Sequence, residues 1–69
     1  MTVEELIADY EDVEDLDVVY IDCDGKGHIY EGEDIEFVDY RLLESQVIDY
    51  KYEVKEHNGR TIRCLYVEC

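Results

Sequence analysis

On either side of Asn58-Gly59, from Val47 to Val67, run residues rich in β-branched and aromatic side chains that alternate with charged ones. Asn-Gly supplies two positive φ angles more readily than any other dipeptide, so the stretch predicts a tight β-hairpin. Counting outward, His57 pairs with Arg60, Val54 with Arg63, Tyr52 with Leu65, Tyr50 with Val67 and Ile48 with Cys69. Cross-strand partners share a face. One face therefore carries Ile48, Tyr50, Tyr52, Val54, Leu65 and Val67, and the other Asp49, Lys51, Glu53, Lys55, Ile62, Cys64, Tyr66 and Glu68. The first is the expected core platform.

A second period appears at the start of the chain. Thr2-Val3-Glu4-Glu5 has the Thr-x-x-Glu form of a capping box, and Val3, Leu6, Ile7 and Tyr10 follow at i, i+3, i+4 and i+7. A helix from about Val3 to Asp12 is predicted, with its apolar stripe on the hairpin platform. Its other face is acidic: Glu5, Asp9 and Asp12, flanked by Glu4 and Glu11. Each like-charge pair one turn apart costs about 0.2–0.5 kcal/mol.

Between these two units the pattern is weaker. Asp17 to Cys23 reads as a strand, Asp24-Gly25-Lys26-Gly27 as a turn, and His28 to Glu31 as its antiparallel return. From Glu33 to Gln46 only a short helical turn around Tyr40 to Glu44 is expected. The fold class is therefore α+β, an N-terminal helix packed on a small antiparallel sheet of two hairpins, in the order α-β-β-turn-β-β. Residues 1–69 are expected to form one domain.

The charge changes what this fold is expected to do. Twenty acids against six bases give −14, yet the apolar fraction is 46%, so the chain reads as a folded acidic domain and not a disordered acidic tail. The acids are polarised: residues 1–25 hold ten acids and no base, and residues 26–69 hold ten acids and six bases. Such a field repels nucleic acid and anionic lipid and attracts basic surfaces or cations. No continuous apolar run suits a signal peptide or a membrane span, and the three Cys, at 23, 64 and 69, lack paired Cys-x-x-Cys spacing. A cytoplasmic location in a bacterial host cell, with reduced thiols, is expected.

The stretch from Asp22 to Glu33 resembles an EF-hand loop, with Asp22, Asp24, His28, Tyr30 and Glu33 at ligand positions, Gly27 at the sixth place and Ile29 at the eighth. Lys26 departs from it by setting a cation where an oxygen is needed, and the preceding Val18 to Ile21 reads as a strand. The hairpin is the main expectation. Weak calcium binding through Asp22, Asp24 and Glu33 is the alternative, and no other cofactor is expected.

Catalysis finds little support. The two imidazoles, His28 and His57, have no nucleophile that sequence can place beside them, and with twenty acids a pair of carboxylates has no diagnostic value. A non-enzymatic protein is expected. Tyrosine is over-used, seven with one Phe and no Trp, and Tyr is favoured where a surface is both apolar and hydrogen-bonding. A structural or assembly role, with two copies meeting through a Tyr-rich sheet, is a third reading.

The opening Met-Thr-Val-Glu-Glu-Leu-Ile helix, the small sheet behind it and the acidity resemble the short acidic proteins of bacteriophages and mobile elements of Gram-positive bacteria. That resemblance implies an inhibitor of the anti-CRISPR or anti-restriction kind, a DNA mimic that binds a nucleic-acid-binding protein. Carboxylates about 6 Å apart at i, i+4 on a helix, or about 6.7 Å at i, i+2 on a strand, suit a groove built for phosphates. The contact acids expected on a basic protein surface are Glu4, Glu5, Asp9, Glu11, Asp12, Glu14, Asp15 and Asp17.

Overall fold

The computed structural model describes residues 1–11 and 15–69. Helix α1 spans Val3–Glu11, strand β1 Val18–Cys23 and strand β2 Lys26–Glu31. A 3₁₀ segment follows at Gly32–Phe37, then the single turn α2 at Tyr40–Leu43, strand β3 at Asp49–His57 and strand β4 at Arg60–Glu68. The α+β class and the order of elements match the expectation.

Both hairpins close through two-residue turns in which each residue has positive φ: Asp24 at 55° and Gly25 at 77°, Asn58 at 53° and Gly59 at 78°. This backbone twists with the flanking strands, which is why Asp-Gly and Asn-Gly specify it. The β3–β4 register from Tyr50↔Val67 to His57↔Arg60 is the predicted one.

The sheet is not wholly antiparallel. Its order is β2-β1-β4-β3, and the central pair β1–β4 is parallel, with Val19 opposite Leu65 and Ile21 opposite Val67. The reason lies in the connection over residues 32–48. β2 finishes at the end of the sheet where β1 begins, and β3 runs in the same direction as β2. The connection must therefore cross the sheet in both width and length, where a short one would give antiparallel strands. It is anchored on the way by Ile35, Val38, Leu42, Leu43 and Val47, which pack into the core.

That core lies on one face of the sheet. Val3, Leu6 and Ile7 of α1 meet Val19 and Ile21 of β1 and Leu65 and Val67 of β4, all buried. The chain start is tied to the crossing segment, since the Val3 amide donates to the Ser45 carbonyl at 3.0 Å and the Val47 amide to the Met1 carbonyl at 2.9 Å. The predicted platform is only partly covered. Leu65 and Val67 are buried and Tyr52 is half-buried, but Ile48, Tyr50 and Val54 are 73%, 47% and 55% exposed. β3 is an edge strand, and α1 lies over the central pair. Conversely Cys64, expected on the open face, is buried because β4 is central.

Candidate functional site

Thr2 and Glu5 form a reciprocal capping box. The Thr2 hydroxyl accepts from the Glu5 amide at 3.2 Å, while Glu5 Oε1 accepts from the Thr2 amide at 3.0 Å and the Thr2 hydroxyl at 3.1 Å. The Thr2 amide first, and its hydroxyl second, hold the Glu5 carboxyl below its usual range. Glu5 thus has work inside the helix.

Asp17 also has backbone partners. Its Oδ2 accepts from the Arg63 amide at 2.8 Å, its own amide donates to the Arg63 carbonyl, and its carbonyl accepts from the Gly32 amide. It pins the entry of β1 against β4. Of the other expected contact acids, Glu4, Asp9, Glu11 and Asp15 are exposed, and Asp12 and Glu14 lie outside the described residues.

Asp9 and Glu11 occupy the last turn of α1, which holds no base. The negative end of the helix dipole disfavours acids there. The ion pairs among the described residues join Lys51 and Lys55 to Glu53, far from α1 in sequence. Helix stability alone would not select these two acids.

They bracket Tyr10, which carries α1 onto β3. Its ring stacks on Tyr52 with centroids 4.6 Å apart and meets Tyr50 edge-on at 6.3 Å. Burial first and Tyr50 second raise the Tyr10 pKa. Through Tyr10 the end of α1 reaches Tyr50, which is exposed together with Ile48 and Val54 along the edge of the sheet. An apolar strip beside carboxylates, on a strand with one open hydrogen-bonding edge, is suited to a protein partner.

The alternative cation site does not assemble. Asp24 sits in the turn at one end of β2 and Glu33 beyond the other end, a strand length of roughly 20 Å away by the usual rise. Asp22 faces away from the core, beside Gly27 of β2. The loop is a strand–turn–strand and not a helix–loop–helix. Among the described residues no group of three or more His, Cys, Asp or Glu is placed to hold a metal ion.

The outer face of the sheet adds acids that sequence reasoning did not bring together. Glu68 stands between Asp22 on β1 and Asp49 on β3, forming a row across three strands. With Tyr20, Lys51 and Tyr66 they line a shallow open groove of about 360 Å³. The parallel β1–β4 register creates this row, and no local pattern reveals it. Further along, the Lys55 amine donates to the Tyr66 hydroxyl at 2.9 Å and lies 5.5 Å from the ring centroid. The Tyr66 hydroxyl first, then its charge and that of Glu53, raise the Lys55 pKa, while Lys51 foremost lowers that of Glu53. Lys51 and Lys55 are exposed and Glu53 and Tyr66 are only half-buried, so the pairs orient side chains more than they stabilise the fold.

No protein family, curated protein or solved structure matches the chain. Among the described residues no helix is long and apolar enough to cross a membrane.

Proposed function

We propose that this chain is a non-enzymatic binding module that engages a basic protein surface through the acidic face of α1 and the apolar strip beside it. The observation that carries this reading is the placement of Asp9 and Glu11. Both are exposed at the helix end that disfavours them, on either side of the tyrosine that joins α1 to the uncovered part of β3. Glu4 and Asp15 extend the same charge.

A partner lined with Lys and Arg relieves the repulsion among these acids when it docks, and Tyr50, Val54 and Ile48 supply apolar area at the contact. Electrostatic attraction of this kind raises the association rate and weakens with salt. A groove made for nucleic-acid phosphates is the finer form of such a partner, which makes the chain a DNA-mimic inhibitor of the anti-CRISPR or anti-restriction type in a phage-infected bacterium. Six acids over two layers support that form: Glu4, Asp9 and Glu11 on α1, and the row Asp22, Glu68 and Asp49 behind the sheet.

Capture from bacterial lysate on the tagged protein, at low and at high salt, tests the reading. Enrichment of nucleic-acid-binding proteins at low salt and their release at high salt is expected. Recovery of the same proteins at both salts would contradict an electrostatic contact.

A further inference from the structure

Cys69 continues the parallel pairing of β4 with β1 by one residue. Its amide donates to the Asp22 carbonyl at 2.8 Å, and its carbonyl accepts from the Asp24 amide at 3.3 Å. In a parallel ladder, a residue bonded to both neighbours of another is that residue's direct partner, so Cys69 stands opposite Cys23. Strands lie about 4.8 Å apart. That is inside the range of roughly 4.4–6.8 Å between Cα atoms that a disulfide spans.

Direct partners project to the same face, and both cysteines pack against the edge of the core, half-buried. Cys23 Sγ lies 3.9 Å from the hydroxyl of Ser45, just after α2. Cys23 also lines an open depression with Lys26, His28 and Arg41, so a small reagent reaches it from solvent. Cys64 is buried, and its position on β4 directs it to the opposite face.

We propose that Cys23 and Cys69 are a dithiol site, oxidised by low-molecular-weight disulfides of the glutathione class to an intramolecular bond that locks β4 to β1. In the first step the Cys23 thiolate attacks one sulfur of the reagent. The reagent's S–S bond breaks, and one thiol leaves with the bonding electron pair and takes up a proton. In the second step the Cys69 thiolate attacks the Cys23 sulfur and expels the other thiol. The two protein thiols lose two electrons and two protons, and the reagent gains both.

Access sets the order. Burial first, and the Cys23 thiol second, push the Cys69 pKa up to about 12, so Cys69 stays protonated while Cys23 reacts. Capping Cys23 removes the second of those causes while burial remains, so closure by Cys69 is the slower of the two steps. The depression carries Lys26 and Arg41 together with Asp24 and Asp39, so it presents both signs to a zwitterionic reagent of the glutathione class.

The reduced protein, in Cys64→Ala and in unsubstituted form, is equilibrated with glutathione mixtures of rising oxidised fraction, then alkylated, digested and read by mass spectrometry. The expected result is loss of two free thiols in one step and a linked peptide joining residues 1–26 to 64–69, with fragment ions placing the bond at Cys69. The urea midpoint rises on oxidation. Cys69→Ser stops at the mixed disulfide on Cys23. Glutathione adducts on both cysteines without a linked peptide would overturn the proposal, as would a linkage found only between molecules or only in denaturant.

Discussion

The ring of Tyr10 lies stacked on that of Tyr52, 23° from parallel, and this contact joins the acidic helix to the edge strand. The edge-on contact of Tyr10 with Tyr50 adds to it, while Tyr50 and Val54 themselves remain exposed. Tyr10→Ala is expected to destabilise the fold by about 2 kcal/mol, from lost stacking and lost apolar burial. Urea unfolding checks it. The raised pKa of Tyr10 adds an alkaline signature. Its neutral form is favoured in the fold, so that stability is fully present below the unfolded pKa of about 10 and is lost as pH rises through the folded value. Tyr10→Phe should flatten this limb in stability measured between pH 9 and 12.

The capping box makes an opposite, acidic prediction. Thr2→Ala removes the hydroxyl from the first turn and should cost roughly 0.5–2 kcal/mol. The Glu5 pKa is lowered, so its contribution is present above the unfolded value and is lost as pH falls through the folded one. Compared with Glu5→Gln, the unsubstituted chain should lose stability more steeply below about pH 4.5. Parallel curves for the two would show that the carboxylate plays no part in the cap.

Behind the sheet, Glu68 sits directly between Asp22 and Asp49. Like charges opposite one another on neighbouring strands are destabilising, and opposite charges are worth about 0.2–1 kcal/mol per pair. Glu68→Lys is expected to stabilise the protein at low salt, with the gain shrinking as salt rises. Thermal unfolding at two ionic strengths reads both effects.

Much of the fold was legible because its signals are local. Asn58-Gly59 fixed a turn, the turn fixed a register, and the register fixed which residues share a face. The same logic found Val3, Leu6 and Ile7, all buried. What local pattern does not encode is the place of a strand in its sheet. Ile48, Tyr50 and Val54 share a face with Leu65 and Val67, yet they stay exposed because β3 is at the edge. The parallel β1–β4 pair was equally hidden, and with it the row Asp22–Glu68–Asp49 and the opposition of Cys23 and Cys69. Gly27 shows the same limit. In sequence it reads as turn chemistry, but it lies within β2, and a Cβ there would collide with the Tyr20 hydroxyl. Of the contact acids, exposure of Glu4, Asp9 and Glu11 agrees with the helical pattern, and Asp15 is exposed beyond α1. The backbone partners of Asp17 come from β4 and the start of the 3₁₀ segment after β2, beyond the reach of any local reading.

Simultaneous reversal of Glu4, Asp9, Glu11 and Asp15 to Lys tests the proposed contact most directly, because these acids are exposed and reversal leaves the capping box and the Asp17 contacts in place. The measurement is the amount of each protein captured from bacterial lysate at low salt by the reversed and unsubstituted chains, with matching circular dichroism as the folding control. Loss of the salt-sensitive, nucleic-acid-binding set from the reversed chain is the predicted result. Capture of the same set in the same amounts would contradict the account and reduce the acidic face of α1 to a solvated surface.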